Sequence, residues 1–154
     1  MNTNILKLIP VLAILVLSAC GRAPQKDVGP FGDFVQKFEQ KSAEQGHPVK
    51  VTDLVMKFGP MDDPRERGVC VIEPGKPPTI TIDQDAFQKM DVDAQEALLA
   101  HEMGHCVLFR VHNPEYSQPG VPSSLMIPYT MNGKVFANNE SHYWKELFSR
   151  ENEL

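Results

Sequence analysis

His101 and His105 stand four residues apart in the run Ala94-Gln95-Glu96-Ala97-Leu98-Leu99-Ala100-His101-Glu102-Met103-Gly104-His105-Cys106-Val107-Leu108-Phe109. Good helix formers lead into them, so the spacing puts both imidazoles on one helical face, one turn apart. Two side chains so placed can reach a single ion, and His-Glu-x-x-His is the spacing by which a helix offers such a pair to zinc. Glu102 lies beside that face, where a carboxylate is placed to take a proton from an activated water rather than to bind the metal. Leu98 and Leu99 give the same helix an apolar side to set against a core.

A catalytic zinc usually has three protein ligands and an open fourth position. The nearest further donor is His112, eleven residues after His101. On a continuous helix the two would lie about 16 Å apart along the axis. The helix must therefore end near Phe109 or Arg110 and the chain must turn back. No Gly or Pro occupies that stretch, and Asn113-Pro114 stops the chain only after the ligand. Rivals for the third position are Glu115, Glu140, which would bring a carboxylate from a second helix, and His142. Cys106 sits about 100° around the helix from His105 and points elsewhere.

The elements that must hold these residues follow from periodicity. Phe31, Phe34, Val35 and Phe38, with Ser42 continuing the stripe, predict an amphipathic helix over about 31–45, ended by Gly46 and Pro48. Residues 49–58 read as a strand, 61–68 as a charged turn, 69–72 as a second strand, 74–78 as a rigid loop and 79–82 as a third strand. Asp83 to Met90 reads as a short helix or turn, and Asp91 or Asp93 is available to cap the metal helix. A long irregular segment leads to a final helix near Ser141 to Ser149, with Trp144, Leu147 and Phe148 on its apolar face. The order predicts an α+β domain with a short twisted sheet, and no internal repeat or second domain is visible.

The N-terminus reads as a targeting segment: Lys7, an apolar run from Leu8 to Leu17 broken only by Pro10, then Ser18-Ala19-Cys20-Gly21. Leu17-Ser18-Ala19-Cys20 resembles the lipobox of bacterial lipoproteins. That resemblance implies removal of residues 1–19, acylation of Cys20 and firm membrane anchoring, against ordinary secretion as the plainer reading. Position 21 is Gly rather than Asp, which by resemblance to enterobacterial sorting favours the outer membrane. Residues 20–30 read as the lipidated cysteine and its tether, and 31–154 as one domain. The formal charge is −5, one unit more negative once Lys7 is removed, and there is no basic cluster, which argues against nucleic acid as a partner. With Cys20 lipidated, Cys70 and Cys106 remain as an even pair in an oxidising compartment. They could form a disulfide or stay as buried thiols.

The wording H-E-M-G-H-C-V-L-F-R-V-H, then S-L-M-I-P, then Y-W-K-E-L-F resembles the metzincin clan of zinc peptidases, and within it small bacterial lipoproteins of metallopeptidase type. The clan pattern is H-E-x-x-H-x-x-G-x-x-H followed by a Met-turn. Here Leu108 stands in the Gly position and the third histidine arrives one residue late. The resemblance spans about 68–148 and is most specific at 96–112. It implies a small zincin fold in which one Zn2+ is held by His101, His105 and His112, with Glu102 as general base. Met126 would form the floor of the Met-turn. A Tyr two residues after that Met has no counterpart, because Pro128 stands there and Tyr129 follows it.

The expected activity is a monomeric, membrane-anchored zinc peptidase acting on a peptide or protein substrate. The substrate would lie extended beside a sheet edge at 69–72 or 79–82, with the Pro-rich segment 113–123 walling the cleft. Two other classes stay open: an envelope lipoprotein with a structural zinc site, and a metal-free adaptor with a degenerate motif. The carboxylate of Glu102 speaks against both, since a structural site has no use for it.

Overall fold

The computed structural model describes residues 22–149; Cys20 and the targeting segment before it lie outside this range. Among the described residues the chain is a mixed α/β domain with five helices and a small mixed sheet. The helices are α1 (Gly32–Glu44), α2 (Gln84–Lys89), α3 (Val92–Leu108), α4 (Gly133–Asn138) and α5 (Glu140–Phe148). The main sheet joins β1 (Lys26–Asp27), β2 (Leu54–Phe58), β4 (Thr79–Ile82) and β3 (Gly68–Val71) in that spatial order. β1, β2 and β4 run parallel, and β3 pairs antiparallel with β4. A separate hairpin pairs β5 (Tyr116–Gln118) with β6 (Val121–Pro122).

The sheet packs against α3, which is buried on several faces rather than along one stripe: Ala97, Leu99, Ala100, Met103 and Cys106 are all nearly inaccessible. A helix surrounded in this way is a core element and not a surface amphipath. α1 closes one side, its Phe38 ring lying 6.1 Å from Trp144 and 5.0 Å from Phe148 of α5. Below it Phe31, Phe58 and Phe87 form a second aromatic cluster. Asp91 caps α3, its side chain accepting from the Ala94 N–H at 2.9 Å, while Asp93 falls in the first turn.

Three expectations change. Residues 49–53 are not strand, because α1 takes their backbone donors: Val49 N–H bonds Ser42 Oγ and Val51 N–H bonds Glu39 Oε1. The supposed tether contributes β1, with Lys26 opposite Leu54 and Asp27 opposite Val55. Main-chain pairing at a sheet edge needs no apolar side chains, so composition gave no sign of it. The segment between α3 and the last helix carries the β5–β6 hairpin and α4, and α4 opens at Asn132, whose side chain accepts from Lys134 and Val135 N–H.

Cys70 of β3 and Cys106 of α3 stand at disulfide distance, with sulfurs 2.08 Å apart. The bond ties the edge strand to the helix that carries His101 and His105.

Candidate metal centre

α3 ends where the spacing of His101 and His112 requires. Phe109 adopts a left-handed conformation with φ 56°, and the N–H groups of Phe109 and Arg110 both turn back to the Gly104 carbonyl. A non-glycine residue there costs roughly 1–2 kcal/mol. The reversal is held by the residue that follows it: Arg110 is 9% exposed, and its guanidinium donates to the Glu146, Leu147 and Ser149 carbonyls and to Glu146 Oε1. The sequence marks Arg110 only as a point near which the helix must end, not as the residue that holds the reversal. The signal was a lone basic residue at the turn, with no glycine beside it to make the reversal easy.

The turn carries His112 back over α3. His105 Nε2 lies 3.1 Å from His101 Nε2 and 3.1 Å from His112 Nε2, and the three donors fall within 4.8 Å of one another. The hydrogen bonds on the far side of two rings settle what those nitrogens are. His101 Nδ1 is 2.8 Å from the Leu125 carbonyl and His105 Nδ1 is 2.6 Å from the Arg110 carbonyl. A carbonyl only accepts, so each Nδ1 carries the proton and each Nε2 presents a lone pair. Lone pairs gathered in this way repel unless a cation lies among them. Two nitrogens about 2.0–2.1 Å from one tetrahedral ion would themselves be about 3.3 Å apart, close to the spacing seen. The three histidines can therefore hold a metal ion.

The electrostatics agree with that assignment. Burial holds His101 well below its ordinary value, at about 4, with the neighbouring imidazoles adding to the effect and the Leu125 carbonyl opposing it. His105 is lowered as well, chiefly by burial. Both are neutral, ligand-competent rings at pH 7.

Glu102 is 4% exposed and lies under the edge strand. A Cβ on Gly68 would fall 2.8 Å from its Oε1 and 2.9 Å from its Cγ, so the strand approaches this closely because residue 68 is glycine. Burial raises the carboxyl to about 8, the charge of Glu66 adds to this, and the Cys70 N–H donating to it works the other way.

Among the described residues none of the rivals for the third position joins this cluster. Glu140 pairs with Lys41 at 3.0 Å and accepts from Trp144 Nε1 at 3.2 Å. His142 Nε2 donates to the Ser123 carbonyl, and Glu115 is exposed ahead of β5. Met126 is fully buried beneath α3; a Cβ on Gly104 would meet its Sδ at 2.5 Å.

The histidines and Glu102 open on a cleft of about 840 Å³. Its rim is the charged segment 63–67 and β3 on one side, and Pro128 to Met131 on the other. The Pro-rich segment 113–123 does not line it. That segment is folded into its own hairpin, and the chain after Met126 forms the wall instead, with the Tyr116 and Tyr129 hydroxyls in contact behind it. Of the two strands considered as the cleft edge, β4 is paired on both sides and β3 on one, so the open edge is β3.

No family model matches the chain, nor does any curated protein or solved structure.

Proposed function

We propose that the chain is a zinc-dependent peptidase of metzincin-like fold, anchored to a bacterial outer membrane through acyl chains on Cys20. The observation that carries this reading is the convergence of three imidazole Nε2 atoms, two of them fixed as lone-pair donors, in the cleft that also holds a buried Glu102. Imidazole donors at this spacing suit Zn2+. Among the described residues the cluster has three members, as a site with an open position for chemistry requires and a closed structural site does not.

When bound, the ion would supply a Lewis acid that activates water and polarises a carbonyl. Glu102 accepts the proton as water adds to the scissile carbonyl carbon, then delivers it to the amine nitrogen as the C–N bond breaks. With a cation held by His101 and His105, the Glu102 carboxyl would lie below its metal-free value and be free to accept that proton. β3 pairs on one side only, so an extended peptide could lie along its other edge, where the Cys70 N–H is already given to Glu102, and Met126 supports the histidine-bearing turn of α3 from below. Among the described residues no helix is long and apolar enough to cross a membrane, so in this reading anchoring falls to Cys20.

The test begins with elemental analysis of the purified full chain and of His112→Ala, followed by a quenched-fluorescent peptide library. One zinc per chain that His112→Ala loses, and hydrolysis that Glu102→Ala abolishes while keeping the metal, are the expected results. A parent without zinc, or a Glu102→Ala variant that still cleaves, would end the proposal.

A further inference from the structure

Two of the three imidazoles take their direction from backbone carbonyls, Leu125 O for His101 and Arg110 O for His105. Neither carbonyl belongs to a helix or strand. Regular hydrogen bonding therefore fixes neither, and the direction of each ring depends on whatever holds these two irregular segments in place.

Both segments are held by the same residue of α5. On one side Arg110 reaches Glu146: Nη2 donates to Oε1 at 2.7 Å, and Nη1 donates to the carbonyls of Leu147 at 3.0 Å and Ser149 at 3.1 Å. The last carbonyls of a helix lack partners within it and carry the negative end of its dipole, so a fixed cation is well placed there. On the other side Glu146 Oε2 accepts from Ser124 Oγ at 2.8 Å, and Ser124 Oγ accepts from the Met126 N–H at 2.9 Å. This fixes the turn that presents the Leu125 carbonyl. The Asn113 N–H donates to the Met126 carbonyl at 2.7 Å and joins the two segments next to His112. Arg110 and Glu146 side chains are 8% and 13% exposed, so the pair is shielded from solvent.

We propose that the Arg110–Glu146 ion pair is a positioning device for the metal site, one oxygen of Glu146 aligning His105 through Arg110 and the other aligning His101 through Ser124. This rests on the reading of the three histidines as metal ligands. The two arms need two acceptor oxygens. A glutamine at 146 keeps one acceptor oxygen for the guanidinium but loses the charge that pairs with it, and its amide nitrogen can meet Ser124 Oγ only as a donor, so the serine proton loses its acceptor. Partners of this kind behind metal-bound histidines change affinity by roughly 10–100-fold when removed.

The experiment is a zinc titration of the metal-free full chain against a chromophoric chelator, with Co2+ spectra alongside, for the parent, Glu146→Gln, Ser124→Ala and Leu54→Ala. Ser124→Ala cuts only the His101 arm and leaves the ion pair intact, so it stays informative if Glu146→Gln fails to fold. Leu54→Ala opens the core at β2, away from the cleft lining, and controls for loss of stability alone. Glu146→Gln is expected to bind zinc about 10–100-fold more weakly and Ser124→Ala about 10-fold more weakly. Both should show altered cobalt d–d bands, while Leu54→Ala melts lower yet binds as the parent does. Parent-like affinity and spectra in folded Ser124→Ala, or an equal loss of affinity in Leu54→Ala, overturns the positioning role and leaves the metal site standing. A parent that binds no zinc takes down the metal site and this inference together.

Discussion

Replacing Gly104 by alanine adds one methyl group between α3 and the turn at Met126, and two opposed effects decide the outcome. In a helix interior Ala is better than Gly by about 0.8–1.0 kcal/mol. The new Cβ, however, would lie 2.5 Å from Met126 Sδ, 3.1 Å from its Cε and 3.2 Å from Leu147 Cδ1. Ordinary contact between such atoms is about 3.5–4.0 Å, so Met126 must move by roughly 1 Å within a fully packed site. Overpacking of that kind costs about 1–3 kcal/mol, which exceeds the helix gain over most of its range. We expect Gly104→Ala to be destabilised by up to about 2 kcal/mol. In a Met126→Leu background, where the longer thioether is gone, the same change should become neutral or stabilising by up to about 1 kcal/mol. Urea denaturation of metal-free protein, followed by the fluorescence of Trp144, measures all four corners of the cycle; Trp144 is the only tryptophan and is 1% exposed. If Gly104→Ala stabilises equally in both backgrounds, α3 and Met126 are not in hard contact and the account of the floor beneath the histidines is wrong.

The remaining predictions concern pH, the disulfide and the reversal after α3. Glu102 holds its proton to about pH 8 in the fold against 4.5 when free, so its contribution is complete below 4.5 and lost as pH rises to 8. His101, lowered from 6.5 to about 4, acts in the opposite direction between those values. In chelator, stability should therefore fall by somewhat under about 1 kcal/mol per pH unit between about pH 7 and 8, since the unfolded histidines, His105 included, still titrate near 6.5 and offset part of the one-proton slope, a fall that Glu102→Gln should abolish; a parent curve flat over that range would count against the buried carboxyl. Removing the Cys70–Cys106 link, which closes a separation of 36 residues, should cost about 4 kcal/mol by the chain-entropy argument, read from denaturation of Cys70→Ser/Cys106→Ser. Phe109→Gly should stabilise the chain by about 1 kcal/mol, because Phe109 is 69% exposed and has φ 56°; a lower melting temperature would show that its ring contributes packing.

The sequence was most readable where local spacing does the work. His101, Glu102 and His105 sit on one helix, and α1, β3, β4 and α3 appear close to their expected ranges because each carries a periodic apolar signal or a capping residue. His112 could be named as a candidate, but its arrival at the site depends on a left-handed Phe109, a conformation that nothing local favours. What stabilises it is Arg110 reaching α5, 36 residues away, and a contact of that range leaves no periodic trace. Strand β1 and the β5–β6 hairpin were hidden for a related reason: main-chain pairing holds them, and their side chains are largely exposed. The loss of strand at 49–53 came from Ser42 and Glu39 capturing backbone donors, a competition visible only once α1 is placed.

The pairing of β1 with β2 would also limit how far the domain strays from the lipid anchor proposed at Cys20. The Gln25 N–H bonds Asp53 Oδ1 and its carbonyl accepts the Leu54 N–H, so the chain is fastened to the sheet by residue 25, and Arg22 is drawn toward Asp53 before that. From Gln25 back to Cys20 is five residues, at most about 18 Å of fully extended chain. With acyl chains on Cys20, as proposed, the protein would be moored against the lipid headgroups instead of swinging on a long leash. Its catalytic reach would then be a thin layer beside the bilayer, and the substrates available to it would be those that enter that layer.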